Sequence, residues 1–348
     1  MHEKFDIDRR EFLGAAIMTL LAAELSVPRA ARARTAEETS AGPVSPSQFG
    51  SATFRVIKQI DAGDLNIGYA DEGPTTGQAV ILLHGWPYDI HSYVEVSALL
   101  VAKGYRVIVP FLRGFGSTHF RSSNAMRNGQ QAAVAQDVIA LMDALKIKNA
   151  VIGGFDWGAR TAAIVAALWP ERCKALVSVS GYLITNLEAN RQPLPPKAEL
   201  GWWYQYYFAT DRGMRGYSEN RRDFNKLIWT LASPKWAFDD ATYNRTAASF
   251  DNSDHVAIVI HNYRWRLDLA KGEARYDPIE ARLMAGPVIT VPTVTIGSDF
   301  DGAGADGKSY AKKFVGKYMH RVLSGIGHNV PQEAPSEFAQ AIIDADRS

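Results

Sequence analysis

The sequence predicts an α/β fold: a mostly parallel central sheet flanked by helices, with a helical cap domain inserted into it. Three observations predict it. Short apolar, β-branched runs at residues 80–83, 106–110 and 150–152 alternate with stretches of helical spacing, the pattern of strand–helix–strand units. From residue 182 to residue 286 that alternation stops, and an aromatic, helical stretch replaces it. The strand pattern then resumes at residues 292–296. Composition agrees with one large catalytic domain or two ordinary ones. The chain has 348 residues, 47% hydrophobic and 22% charged. A net charge of +1 gives no sign of a nucleic acid or a strongly anionic surface as partner. Cys173 is the only cysteine, which excludes an intramolecular disulfide and a cysteine-based zinc site.

Taken in order, the chain opens with Asp8-Arg9-Arg10-Glu11-Phe12-Leu13, an apolar run over residues 12–27, Pro28, and a small-x-small site at Ala31-Arg32-Ala33. This resembles a twin-arginine bacterial export signal over residues 1–33, followed by a loose linker over 34–50. It implies a periplasmic or secreted protein without stable membrane association after cleavage. The run is short and interrupted by Glu24, so it makes a poor transmembrane helix. The missing disulfides fit a route that carries chains already folded in a reducing cytoplasm.

The first part of the core spans residues 51–181. Strands at 54–60 and 65–70 flank Asp61-Ala62-Gly63-Asp64, a hairpin signal. A buried strand at 80–83, a helix at 94–103 and a strand at 106–110 follow. The helix expected at 130–145 has Val134, Val138, Leu141 and Leu145 on one side. Next come a strand at 150–152, an alanine-rich helix at 160–169 stopped by Pro170, and a strand at 175–179. The cap, 182–286, carries Trp202, Trp203, Tyr204, Tyr206, Tyr207, Phe208, Trp229, Trp236 and Trp265. The second part of the core, 287–348, supplies strands at 292–296 and 319–323 and a closing helix at 335–343.

The chemistry centres on Gly154-Phe155-Asp156-Trp157-Gly158, between a strand and a helix. Small residues two before and two after the apex let strand and helix approach closely, which is the signature of a nucleophile elbow. Here Asp stands where an esterase has Ser. A carboxylate that attacks carbon makes an ester, which a second step must hydrolyse. The substrate should then carry an electrophilic sp³ carbon, as an epoxide or alkyl halide does. A lone Asp in this place is usually a helix cap. The glycines and three further motifs favour the nucleophile. His84-Gly85-Trp86-Pro87 follows a buried strand and offers the Trp86 N–H as one oxyanion-hole donor, with the Trp157 N–H as the other. The Trp86–Pro87 bond is a candidate cis bond. Gly325-Ile326-Gly327-His328 puts a histidine after the last strand, in the chain order nucleophile, acid, base. The acid that orients it is Asp299 or Asp301, and the other caps its loop.

In combination these motifs resemble the epoxide hydrolases of the α/β-hydrolase superfamily, over nearly the whole mature length. His84-Gly85-Trp86-Pro87 is similar to that family's His-Gly-x-Pro loop, and the elbow to its Gly-x-Asp-Trp-Gly. The resemblance implies Asp156 as nucleophile and His328 as general base. Counted from Pro292, Asp301 falls on the family's acid position, with Asp299 second. The resemblance also implies two cap tyrosines that bind the epoxide oxygen: Tyr204, from Trp203-Tyr204-Gln205-Tyr206-Tyr207-Phe208, and Tyr263, from Asn262-Tyr263-Arg264-Trp265. Ring opening leaves an alkoxide, which needs a proton donor, and a phenol of pKa about 10 is neutral and able to donate at neutral pH. A halide needs no proton. A haloalkane dehalogenase, with the Trp157 indole on the halide, is therefore the alternative, and a non-catalytic binding protein of the same fold a further one. Tyr206 and Tyr207 read as cap core. No cofactor or metal is expected, and a homo-oligomer is compatible with the sequence. The aromatic cap points to an apolar epoxide. One departure stands out: Phe111 occupies a place usually acidic in relatives, ahead of Arg113-Gly114-Phe115-Gly116, which leaves the anchoring of that loop open.

Overall fold

The computed structural model of the protein describes residues 53–348; the expected signal and linker lie outside the described residues. Strands β1 (Lys58–Ala62) and β2 (Leu65–Glu72) form an antiparallel hairpin in which Ala62 pairs with Leu65. The turn is therefore the two residues Gly63-Asp64, tighter than the four expected, with Gly63 at φ 58°. Strands β3 (Ala79–Leu83), β4 (Arg106–Pro110), β5 (His119–Phe120), β6 (Ala150–Gly154), β7 (Cys173–Val179), β8 (Thr293–Ser298) and β9 (Tyr318–Leu323) complete the sheet. The order is β1-β2-β4-β3-β6-β7-β8-β9, and β5 pairs on β2. From β4 onward every neighbouring pair on that path is parallel; β2 runs antiparallel to β1, β4 and β5. Strands buried on both faces must be apolar throughout, which is why β3 reads Ala-Val-Ile-Leu-Leu.

Helices α1 (Val94–Val101), α2 (Gln131–Ala144) and α3 (Trp157–Leu168) belong to the first half. The inserted region between β7 and β8 holds α4 (Trp203–Ala209), α5 (Asp211–Ala232), α6 (Asp240–Ala247), α7 (His255–Arg266) and α8 (Asp277–Met284), with shorter helical turns and no strand among the described residues. Helices α9 (Val330–Glu333) and α10 (Pro335–Asp346) close the chain. Helices α1 and α10 pack together on one side of the sheet, α2 and α3 on the other. Helix α3 is buried at all positions but one; its alanines let it lie close on β3, β6 and β7.

The loop after β4 is anchored without an acidic residue at position 111. Phe111 is buried, donates its N–H to Gly68 O (2.8 Å) and accepts at its own O from Thr118 Oγ1 (2.8 Å). The buried Arg113 guanidinium donates to both oxygens of Asp137 (2.6 and 2.7 Å) and to Asn128 O (2.8 Å). A forked ion pair of this kind fixes direction as well as distance.

Candidate active site

The elbow turn follows from three glycines that leave no room for a side chain. A Cβ on Gly158 would sit 1.8 Å from Leu83 O, and one on Gly154 2.4 Å from the carbonyl carbon of Gly158. A Cβ on Gly85 would sit 2.3 Å from Asp156 Cβ. The strand, helix and neighbouring loop are thus in backbone contact, and the chain turns sharply at Asp156, at φ 53° and ψ −123°. Such a conformation costs a non-glycine residue about 1–3 kcal/mol and persists only where its surroundings enforce it. It aims the Asp156 carboxylate away from the sheet. Its side chain is 16% exposed.

Trp86 N donates to Asp156 Oδ1 at 2.7 Å, and the Trp86–Pro87 bond is cis. His84 braces this loop: it accepts from Leu112 N at Nε2 (3.1 Å), which leaves Nδ1 to donate to Gly85 O (3.1 Å). Burial pulls His84 down to about 4, so it is a neutral structural imidazole at pH 7. The cap holds the same loop from above. Trp229 Nε1 donates to Pro87 O (2.8 Å), and Trp86 Nε1 donates to Tyr217 OH (2.9 Å). Tyr217 OH pairs in turn with His255 Nε2 (2.8 Å), and His255 Nδ1 with Gly114 O (2.9 Å).

His328 lies between β9 and α9, with Nε2 3.6 Å from Asp156 Oδ2. Its loop is clamped by Glu333. Oε2 of Glu333 accepts from Gly327 N (2.7 Å), while Oε1 accepts from Asn329 N (3.0 Å) and from Ser233 Oγ (2.6 Å). Ser233, on the cap, also accepts from His328 N (2.9 Å). Sequence reasoning missed Ser233, Glu333 and Tyr217. Only Glu333 carried a signal: a carboxylate four residues beyond Asn329 in the first turn of α9.

Neither Asp301 nor Asp299 hydrogen-bonds His328 among the described residues. His328 Nδ1 is buried and unpartnered among the described residues. Asp301 Oδ2 instead accepts from Ser298 N (2.9 Å). Asp299 Oδ2 accepts from Lys235 Nζ (2.7 Å) and Gly325 N (3.1 Å). The reason is local: residues Asp299–Gly304 form a tight 3-10 turn, which draws Asp301 back onto its own first turn and sets Phe300 against His328, ring centroids 4.1 Å apart.

Tyr204 on α4 and Tyr263 on α7 are both buried, with ring centroids 5.4 Å apart, and both pack on Trp86 (5.1 and 5.2 Å). Burial raises both phenols well above the ordinary tyrosine value. The Asp156 carboxylate pushes the same way, and for Tyr263 so does Tyr204. Both phenols are therefore neutral donors at any working pH. Asp156 shows the opposite balance. Burial favours its neutral form, but His328 and the N–H groups of Trp157 and Trp86 outweigh that and hold its pKa below the ordinary value. Tyr207 packs on Phe224, as a core residue should, whereas Tyr206 is exposed and hydrogen-bonds Glu199 on the surface. One further residue escaped sequence reasoning: Arg160, read only as a helix former, is a buried guanidinium one turn beyond Asp156.

The arrangement provides an ionised carboxylate on a strained turn, the Trp86 N–H on one of its oxygens, an imidazole facing the other, and two neutral phenols on the cap. Among the described residues no group of His, Cys, Asp and Glu is placed to hold a metal ion.

The family model for the alpha/beta hydrolase fold matches residues 78–215. Epoxide hydrolase B of Mycobacterium tuberculosis is 33% identical, over 79% of this chain and 93% of its own. An epoxide hydrolase of Caballeronia sordidicola is 31% identical, over 82% and 93% respectively. A crystal structure of a candidate epoxide hydrolase from Klebsiella pneumoniae is 61% identical, covers 85% of this chain and 98% of its own, and superposes with a TM-score of 0.83. The chain belongs to the epoxide hydrolases of the α/β-hydrolase fold.

Proposed function

We propose that the protein hydrolyses an epoxide to a vicinal diol in two steps, through an ester on Asp156. In the first, Asp156 Oδ2 attacks an epoxide carbon and the ring C–O bond breaks. The released oxygen takes up charge while hydrogen-bonded to Tyr204 and Tyr263, one of which gives it a proton. In the second, His328 removes a proton from water, and the resulting hydroxide attacks the carbonyl carbon of the Asp156 ester. The N–H groups of Trp86 and Trp157 hold the tetrahedral oxyanion. Its collapse expels the diol oxygen, which takes the proton back from His328, and leaves Asp156 as a carboxylic acid; that acid returns its proton to the tyrosinate formed in the first step, which restores the carboxylate and the phenol. Of the two acids, we assign the orienting role to Asp301. It is held by a single backbone N–H, whereas Asp299 is committed to Lys235 and Gly325.

One observation carries this reading. A carboxylate with one oxygen on the Trp86 N–H and the other 3.6 Å from His328 Nε2 lies beneath two buried phenols that have no function with a halide leaving group. The test is the intact mass of His328→Gln after incubation with styrene oxide. An adduct equal to the epoxide mass, absent in an Asp156→Ala background, is expected. An alkyl adduct from a haloalkane, with none from epoxides, would move the assignment to a dehalogenase. Before cleavage the chain is directed to the twin-arginine route by Arg9 and Arg10. Changing both to lysine should retain it in the cytoplasm, and unchanged export in a cell fractionation would refute that.

A further inference from the structure

Arg160 is 4% exposed, yet the mechanism above gives it nothing to do. It lies four residues after Asp156, its own N–H donating to Asp156 O (3.1 Å), so its side chain leaves α3 on the side of the elbow carboxylate. Its contacts agree. The guanidinium carbon is 5.8 Å from the Trp157 ring, and Nη2 donates to Asn262 Oδ1 (2.8 Å), the residue next to Tyr263 on α7. Arg266, one turn further along α7, brings a second guanidinium 5.8 Å from the Tyr263 ring. Three buried donors around this point have no acceptor among the described residues: Arg160 Nε, Arg266 Nε and Asn262 Nδ2.

Neither arginine forms an ion pair among the described residues, whereas Arg113, about as buried as Arg160, pairs with Asp137. Of the two acids whose charges reach Arg160, Asp156 acts more strongly but is the nucleophile and loses its charge when esterified; the other is Glu280. Its oxygens are taken by Gln130 Nε2, Gln131 Nε2 and Ala132 N, and burial raises its pKa, so its charge is a weak counterweight. Burial, reinforced by Arg266, pulls Arg160 down to about 10, which still leaves it charged at pH 7. A buried cation without a hydrogen-bonded counter-charge is costly and is kept where an anion arrives to complete it.

We propose that Arg160, with Asn262 and Arg266, forms an anion pocket beside Tyr263, and that the substrates are epoxides carrying a carboxylate a few bonds from the ring. The substrate class rests on the reading of Asp156 as nucleophile. A carboxylate matches the guanidinium fork, accepts from the unpartnered Asn262 amide, and offsets the charge of Arg160. Anchored there, it holds the ring between Tyr263 and Asp156, so that binding energy remote from the reacting carbon orients the attack.

The test uses two probe pairs. Phenylacetate and its neutral isostere phenylacetamide are titrated into the wild-type protein and followed by tryptophan fluorescence. The acid should bind at least about tenfold tighter, and Arg160→Met should abolish that preference. In turnover, the ratio of kcat/KM for 3-phenylglycidate to that for styrene oxide should fall about 100-fold in Arg160→Met, the loss expected for one charge-assisted fork, and by less in Arg160→Lys. Asn262→Asp guards against misfolding: it retains the acceptor for Arg160, supplies an internal carboxylate, and should remove the preference for acids while the protein stays folded. If phenylacetate binds no tighter than phenylacetamide, or if both variants leave the ratio unchanged, Arg160 and Asn262 are only a brace between α3 and the cap and the proposal falls. If styrene oxide is hydrolysed with no preference for the acid, the pocket falls and the hydrolase reading stands. If no epoxide is turned over but Arg160→Met abolishes phenylacetate binding, the pocket stands and that reading falls.

Discussion

Replacing Glu333 by glutamine tests whether the histidine loop is held by charge or by shape alone. Glutamine has the same volume, but one end of its amide must present N–H groups to a donor. If that end faces Gly327 N, a backbone N–H loses its acceptor, which costs about 1–3 kcal/mol. The bonds from Ser233 Oγ and Asn329 N survive but lose their charge assistance, about 1 kcal/mol each. The sum is about 3–5 kcal/mol. At about 2–3 °C per kcal/mol for a domain of this size, the melting midpoint should fall by roughly 6–15 °C. Activity should fall further than stability requires, because the freed Gly327 amide adjoins His328 and the surviving Asn329 bond on its other side is weakened, and a displacement of about 1 Å at a catalytic group can cost about 100-fold. The deficit should lie in ester hydrolysis. Single-turnover mixing followed by intact-mass measurement should then show the Asp156 ester accumulating to a higher level than in the wild type. A Glu333→Gln protein that melts within about 1 °C of the wild type and keeps kcat within twofold would refute the clamp.

Tyr204→Phe and Tyr263→Phe should each slow ring opening by about 10- to 100-fold, and the double variant by more than about 1,000-fold, since general acid catalysis contributes about 10²–10⁴ and one phenol partly covers for the other; a double variant that still opens the ring at the wild-type rate removes both from the chemistry. Asp301→Asn should lower kcat by at least about tenfold and Asp299→Asn by little, on the usual size of a general-base contribution; the reverse order would move the orienting acid to Asp299. Burial holds His84 at about 4 and His255 at about 3, so both are neutral in the fold but charged in the unfolded chain below about pH 6.5. The unfolded chain therefore binds more protons as pH falls from about 6.5 towards 4, and stability is lost in that window, on the order of 3 kcal/mol per histidine; urea midpoints that match at pH 7 and pH 4.5 would contradict it.

The parts of the site that the sequence makes legible are those where the backbone itself is crowded. Gly85, Gly154 and Gly158 admit no Cβ, so their spacing records the elbow directly, and the parallel strands record their two-sided burial as apolar runs. What escaped depends on partners distant in the chain or on side-chain direction. The two-residue strand β5 exists only because Leu65 and Asn66 pair with it. Helix α3 begins at Trp157, not Arg160, because the elbow is itself the helix start. Loop anchoring by Arg113 needs Asp137, and the histidine clamp joins Ser233 to Glu333 across 100 residues. Counting along the strand singles out Asp301, but the direction of its carboxylate is set by the turn at Asp299–Gly304, which holds it on Ser298 N.

The same distant contacts decide how a substrate enters. Swinging the cap away as a rigid body would break Trp229 to Pro87, Trp86 to Tyr217, Ser233 to both Glu333 and His328, Thr246 to Asp89, and Arg160 to Asn262. At about 1 kcal/mol net per bond, before any apolar surface is exposed, these together hold the open state below about one molecule in 10⁴. Such an opening would also release the His-Gly-Trp-Pro loop and the histidine loop, dismantling the oxyanion hole and the base together. Entry must therefore be local, through side-chain and loop motion at the cap edge with these bonds intact. Native-state hydrogen exchange tests this: the amide of Trp86, bonded to Asp156, and that of His328, bonded to Ser233, should exchange only with global unfolding. If the two exchange together in a faster, sub-global step, the cap opens as a unit and the argument fails.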